Sequence, residues 1–198
     1  MNIALSVLIA YLLGSVNSSI IISKLWANTD IRKHGSGNAG ATNTLRTLGK
    51  TAAAVVVIGD VLKGVVSVII GWYLAGEIGG LAAGIASVLG HNYPLYFGFK
   101  GGKGILTSAG VVMMIHWKIG VLLVVIVLLI IAITRYVSLG SVIGAFLYPL
   151  FVYFMYNNKI EYMIFSLCLA ALAVYRHKGN IKRLLNGTEL KLGTKVKG

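Results

Sequence analysis

Charge is what this 198-residue chain lacks most: only 12% of its residues are Asp, Glu, Lys or Arg. A soluble domain carries about 25%, and with 57% hydrophobic residues and a mean hydropathy of +0.85 the chain cannot cover a globular surface. Acids are scarcer still. Asp30, Asp60, Glu77, Glu161 and Glu189 stand against 18 Lys and Arg, giving a net charge of +13. There is one cysteine, Cys168, set inside an apolar run, which excludes a disulfide framework and a cysteine-based zinc site. The first residues lack a basic segment and a small-residue cleavage site, so the opening apolar run reads as a retained span. No histidine has an aspartate five positions beyond it, the spacing of a His-Asp catalytic dyad: those positions after His34, His91, His116 and His177 are Ala39, Tyr96, Val121 and Lys182. A Ser-His-Asp triad is equally unsupported.

What is present is a series of apolar runs joined by short polar connectors. The runs are Ile3–Leu25, Thr51–Ala75, Gly80 to about Tyr93, Ile105–His116, Ile119–Thr134, Ser141–Tyr156 and Glu161–Tyr175. They predict an all-α polytopic membrane bundle of about seven transmembrane helices, in a single domain over 1–198. The twelve-residue run Ile105–His116 is the weakest, because about 20 residues are needed to cross the hydrocarbon core. Within the first run Ser15, Asn17, Ser18 and Ser19 are expected to face other helices rather than lipid. Asp60 and Lys63, three apart, can neutralise each other on one helical face.

An odd number of spans places the termini on opposite sides. Lys24, Arg32, Lys33, Arg46, Lys50, Lys100, Lys103, Arg135 and the seven cations from Arg176 onward then share one face; Lys118 and Lys159 lie on the other, and Lys63 within a span. The excess of Lys and Arg marks the cytoplasmic side, so the N-terminus is expected outside and the C-terminus inside. Such a basic balance suits anionic lipid or an anionic substrate. Nucleic acid is not expected, since the charges sit in short connectors.

Three polar segments fall on that cytoplasmic side. Asp30–Arg46 reads DIRKHGSGNAGATNTLR; Gly35, Gly37 and Gly40 disfavour a helix, and let backbone N–H groups converge on an anion. Ser36, Asn38, Thr42 and Asn43 add side-chain donors, and Arg32 and Arg46 flank the segment as fork-shaped phosphate ligands. Phe99–Gly104 reads FKGGKG, with Lys100 and Lys103 around Gly101 and Gly102 at the start of a span, and His91 just upstream. A helix N-terminus beside a lysine is an anion site; the alternative is a snorkelling anchor at the membrane boundary. From Arg176 to Arg183 a helix would set His177, Asn180 and Arg183 on one face. Lys182, Lys191, Lys195 and Lys197 suit a basic tail resting on anionic lipid.

Together GSGNAGATN at Gly35–Asn43, GHNYP…FKGGKG over Gly90–Gly104 and RHKGNIKRLLNGTE over Arg176–Glu189 closely resemble the bacterial acyl-phosphate-dependent glycerol-3-phosphate acyltransferases, the PlsY family. Gly14-Ser15, Asp60–Gly64 and Ser138–Ser141 extend the resemblance over nearly the whole chain. One departure is Val16-Asn17, where that family usually has an apolar residue and proline, which leaves a helix kink there unprescribed.

The resemblance implies a multi-pass enzyme of the bacterial inner membrane with its active site on the cytoplasmic side. It implies transfer of a fatty acyl group from acyl phosphate to the 1-hydroxyl of glycerol 3-phosphate, giving lysophosphatidic acid and phosphate, with no cofactor or metal. The residues expected in catalysis are Ser36, Arg46, Lys103, His177 and Asn180. Those expected to bind substrate are Gly35, Gly37, Asn38, Gly40, Thr42, Asn43, His91, Lys100, Gly101, Gly102 and Ser141. An anion transporter and a non-catalytic lipid-binding protein are the competing readings. The outer turns Gly76–Gly79 and Asn157–Lys159 offer no motif for the first, and three separate motif segments are superfluous for the second.

Overall fold

The computed structural model describes residues 2–156 and 159–194. Lys195 and Lys197 of the expected lipid-facing tail, and Asn157 and Asn158 of an expected turn, lie outside the described residues. Among those residues every regular element is helical. In chain order they are α1 (Asn2–Ser15), α2 (Ser18–Ala27), α3 (Ala41–Leu48), α4 (Lys50–Asn92), α5 (Ile105–Ile115), α6 (Trp117–Thr134), α7 (Val137–Tyr156), α8 (Ile160–Arg176) and α9 (Lys178–Leu185). Short 3-10 turns occupy Ile31–Lys33 and Leu95–Phe97. The chain forms two compact units that part at Val111 and Val112.

In the first unit the polarity of a soluble protein is reversed. Leu8, Val57, Ile58, Leu62 and Ile69 are exposed, whereas Ser6, Ser15, Asn17, Ser19, Ser23, Asp60, Lys63, Ser67, Ser87, His91 and Asn92 are buried. In hydrocarbon this is the stable arrangement, because no water is present to satisfy polar groups on the outside. The polar cluster of the first run therefore faces protein, as its composition predicts. The run itself is not one helix. It breaks at Val16-Asn17, where Asn17 Oδ1 accepts the Ile20 N–H at 3.1 Å and caps α2, so an asparagine cap stands at the break.

α4 is a hairpin. Ala75 and Gly76 leave helical geometry, and Lys63 Nζ and His91 Nδ1, 28 residues apart, lie within 2.8 Å of each other. On a straight helix that separation would span about 42 Å. Gly71 and Gly79 meet across the fold so closely that a Cβ on either would strike the other's carbonyl. α1 packs along this hairpin, with Gly14 on the Ser87 backbone, Gly90 on the Tyr11 carbonyl, and Ala10, Ala83, Ala86 and Tyr11 forming an apolar contact. Small residues at such crossings let backbones approach where lipid provides no hydrophobic drive.

In the second unit α7 packs against both α6 and α8. His116, between α5 and α6, is buried against Tyr148, Tyr156 and Tyr162, with Nδ1 2.9 Å from the Tyr148 hydroxyl. α7 begins at Val137, four residues before the expected run Ser141–Tyr156, so only Arg135 and Tyr136 separate it from α6 and Ser138 and Ser141 lie within the helix.

By length and composition four helical stretches among the described residues can cross a bilayer, the 48-residue stretch Lys50–Phe97 counting once, and up to five with the α8–α9 pair, bent by 59°. The protein is thus an all-helical membrane bundle. α5, 11 residues long, rises only about 16 Å.

Gly71→Val should drive the two limbs of α4 apart and destabilise the protein by about 1–3 kcal/mol, read as a lower thermal unfolding midpoint in detergent. Ile69→Val, on the exposed face, should change stability by no more than about 0.5 kcal/mol.

Candidate active site

The first polar segment folds around two side chains. Asp30 caps the Ile31–Lys33 turn by accepting the Arg32 N–H at 3.0 Å, and the Arg32 guanidinium returns to the same carboxylate, Nη2 to Oδ2 at 2.7 Å. That guanidinium hydrogen bond holds the Asp30 carboxyl at about 2, against an ordinary 3.8, and raises the arginine's own value. Arg32 Nη1 then donates to the carbonyls of Phe97 at 2.8 Å and Lys100 at 3.0 Å. Expected as a phosphate fork, Arg32 instead clasps the second polar segment to the first.

Asn43, also expected as a substrate donor, is 1% exposed and turned into the loop. Its Oδ1 accepts the Ser36 N–H at 2.8 Å, and its Nδ2 donates to the carbonyls of Ile31 at 3.1 Å and His34 at 2.9 Å. Gly35 adopts φ +58°, and a Cβ there would collide with Asn43 Oδ1. The asparagine is the frame on which Gly35, Ser36 and Gly37 are bent outward, all three exposed. Past Gly40 the glycines stop, and Ala41–Leu48 forms α3 with Gly40 as its N-cap, so the later half of the expected loop is helical. Asn38 and Gly40 lie half-buried at its entrance, and Thr42 and Arg46 half-buried on its first two turns. Thr44, which no sequence signal marks, ties α3 to α2 through Ser19 Oγ at 3.1 Å.

The second segment turns beneath this loop. The Gly101 N–H donates to the Asn92 carbonyl and the Gly102 N–H to the His91 carbonyl, each at 3.2 Å. The missing Cβ of Gly102 leaves the space where the His91 ring and the Ala39 carbonyl meet it. His91 is therefore buried beneath the turn, Lys100 is exposed, and Lys103 is half-buried just before α5. Ser36, Asn38, Thr42, Arg46 and Lys103, with the N-termini of α3 and α5, thus belong to one unit whose two loops are joined by Arg32. Such a set of cations and N–H groups can hold phosphate. Asp30, the acid of these loops, is already paired.

The third segment lies in the other unit. His177 links α8 to α9, and its Nδ1 is 2.7 Å from the Ala173 carbonyl. A carbonyl only accepts, so Nδ1 bears the proton and the neutral ring keeps its lone pair on Nε2. Asn180 is held by Glu189, whose Oε1 accepts from the Asn180 amide at 2.6 Å and from the Ser138 hydroxyl at 2.7 Å, while Arg183 Nε donates to Oε2 at 2.7 Å. Partial burial pushes the Glu189 carboxyl up, but the hydrogen bonds from Ser138, Asn180 and Arg183, with the Arg183 charge, outweigh it and hold the group below its ordinary value. Glu189 is the organiser that sequence reasoning missed; its place at the end of the RHKGNIKRLLNGTE motif was the available signal. Ser141 is buried on α7 and donates to the Val137 carbonyl at 2.9 Å. Among the described residues no three His, Cys, Asp or Glu gather into a set that could hold a metal ion.

The chain is similar to known proteins over almost its whole length. The family model described as glycerol-3-phosphate acyltransferase matches residues 4–187. The glycerol-3-phosphate acyltransferase of Thermoanaerobacter sp. (strain X514) is 51% identical over 196 residues, covering 99% of this chain and 98% of the relative. That of Clostridioides difficile (strain 630) is 48% identical over 193 residues, covering 94% of each. The crystal structure of PlsY (YgiH), an integral membrane glycerol 3-phosphate acyltransferase, in its glycerol 3-phosphate form superposes with a TM-score of 0.92 at 39% identity, over 98% of this chain and 97% of that one. Its lysophosphatidic acid form gives 0.88 at 38% identity over the same shares.

Asn43→Ala should leave the Ser36 N–H and two loop carbonyls unpartnered and destabilise the protein by about 1–3 kcal/mol, measured by thermal unfolding. The folded-state carboxyl value of Asp30 is depressed, so its pairing with Arg32 stabilises fully above 3.8 and is lost as pH falls toward about 2. The gap in unfolding midpoint between the parent and Asp30→Asn should therefore stay constant above that range and close within it.

Proposed function

This chain belongs to the glycerol-3-phosphate acyltransferase family, an integral-membrane acyltransferase of phospholipid synthesis, and on that premise we propose that its acyl donor is an acyl phosphate and its acceptor the 1-hydroxyl of glycerol 3-phosphate. The work is done at the cytoplasmic face of the bacterial inner membrane by a single domain over 1–198. Seven spans carry it: the broken α1–α2 run, the two limbs of α4, then α5, α6, α7 and α8, with the N-terminus outside. The distribution of lysine and arginine supports that orientation.

The observation that carries the reading is the Arg32 clasp, which joins the glycine loop of Ser36 to the turn of Lys103 within one unit. Both substrates bring a phosphate, and two anions must be held side by side without repelling one another. Cations and oriented N–H groups do this best where water is scarce. In the first unit Ser36, Asn38, Thr42, Arg46 and Lys103 form the phosphate-holding shell; the second unit contributes His177 and Asn180 as further catalytic candidates. Gly35, Gly37 and Gly40 give backbone approach, with Lys100 at the margin; Gly101 and Gly102, whose N–H groups go to the Asn92 and His91 carbonyls, shape the turn instead, and Ser141 is a further candidate in the second unit. Asn43 and His91 act by holding the two loops in shape.

The glycerol hydroxyl attacks the acyl carbonyl carbon, a new ester C–O bond forms, and the C–O bond to phosphate breaks. An acyl phosphate is already an activated anhydride, so positioning and charge neutralisation are the main demands. The hydroxyl proton passes to the departing phosphate or to His177 Nε2, the ring nitrogen that bears the lone pair. The acyl chain lies among the apolar helices and reaches the bilayer.

Purified protein in detergent should convert palmitoyl phosphate and glycerol 3-phosphate to lysophosphatidic acid with release of inorganic phosphate. Lys103→Ala and Asn180→Ala should each lower that rate by about 100-fold or more. Unchanged turnover in His177→Ala would remove His177 as the base. Absence of phosphate release, together with anion flux in reconstituted vesicles, would favour a transporter.

A further inference from the structure

Beneath the Gly101–Gly102 turn lies a buried ion cluster that the reaction scheme leaves unused. Lys63 Nζ is 2.9 Å from Asp60 Oδ1, 2.8 Å from His91 Nδ1 and 2.9 Å from the Val16 carbonyl oxygen. An ammonium has three N–H bonds and no acceptor, so these three partners satisfy it completely. Asp60 neutralises its charge and also accepts from Ser18 Oγ at 3.1 Å. All three titratable side chains are buried.

Two consequences follow for His91. Its Nδ1 lies 2.8 Å from the Lys63 ammonium, a pure donor, and 3.6 Å from Asp60 Oδ1; the nearer ammonium has only protons to offer, so in the neutral ring Nδ1 accepts and the proton sits on Nε2. That Nε2 edge lies against the bare Cα of Gly102, at the place where a Cβ would also strike the Ala39 carbonyl of the first loop. The His91 carbonyl meanwhile accepts the Gly102 N–H at 3.2 Å. The ring is thus a wedge between the hairpin and both polar loops, and Lys63 is what stops it turning.

Stability is a poor reason to keep such a cluster. Replacing a buried ion pair by apolar groups of similar size is often neutral or stabilising, and ionisable groups among membrane helices usually serve function. An ion pair alone would need only Asp60; the bond to His91, 28 residues away, adds the link to the loops.

We propose that Asp60, Lys63 and His91 form a positioning cluster for acyl transfer, in which Lys63 locks the His91 ring and the ring sets the Gly101–Lys103 turn against Ala39. The three residues act through the backbone beside Lys103 and do not touch substrate. The proposal rests on Lys103 holding phosphate in the reaction above.

Two measurements on the full chain in detergent test it. In the parent, the ring ¹⁵N shifts of His91 should show a lone pair on Nδ1 and a proton on Nε2; a proton on Nδ1 would overturn the lock. This readout needs no variant and no activity, so it stands even if acyl phosphate proves the wrong donor. The second uses the charge-balanced pair Asp60→Asn with Lys63→Met, because Lys63→Met alone strands a buried carboxylate. The paired variant should retain the parent's unfolding midpoint, lose the single His91 tautomer, and drop in kcat/KM by about 10- to 100-fold. A folded paired variant with parental kcat/KM would sink the proposal and leave the cluster purely structural.

Discussion

Polar groups in hydrocarbon must find their partners inside the protein, and this constraint orders the whole first unit. With water excluded from the lipid side, Leu, Val and Ile dominate the exposed surface of α1 and α4, while serines, amides and the Asp60–Lys63 pair turn inward. Lys63 is the extreme case: an ammonium whose three protons go to Asp60, His91 and the Val16 carbonyl. Satisfying it requires the α1–α2 break to expose a carbonyl. It also requires α4 to fold back, so that a residue 28 positions later arrives at hydrogen-bond distance. Helix break, hairpin and loop support are parts of one solution.

The same need for partners separates residues that hold the loops from residues left to bind. Asn43 and Arg32 look like anion ligands, yet the loop's own carbonyls and the Asp30 carboxylate take up their polar atoms. By doing so they bend Gly35, Ser36 and Gly37 outward. In the second unit Glu189 plays the equivalent part, holding Asn180, Ser138 and Arg183 together. Each polar segment is thus a small scaffold around one fully bonded side chain. Acids are nearly absent from these loops, and those present are already paired, which suits a site that must hold anions rather than activate a weak nucleophile by a carboxylate-backed base.

Much of this was open to inspection before any coordinates. Apolar runs marked the helices, since nothing else in 198 residues could bury so little charge. Glycines flanked by hydroxyls, amides and lysines marked the polar segments. The errors have a common cause. Val16-Asn17 was passed over as a break because an asparagine cap has no outstanding composition. The glycines before Gly40 mask the sharp boundary at which Thr42, Asn43 and Arg46 pass from loop into helix. Side-chain chemistry alone makes Arg32, Asn43 and His91 candidate ligands and does not say which partner is nearest.

The sequence by itself determined the solvent of this protein and its class: a helical membrane protein with cationic, glycine-rich connectors, since hydropathy and glycine content are local properties that survive any packing. Only tertiary structure decided which donors serve the protein and which face outward. That choice depends on contacts between positions far apart in the chain, such as Lys63 with His91, Arg32 with Phe97 and Ser138 with Glu189. Hydrogen bonds act over about 3 Å, so their pairing is set by where the helices place the backbone, and no local pattern of residues carries that information.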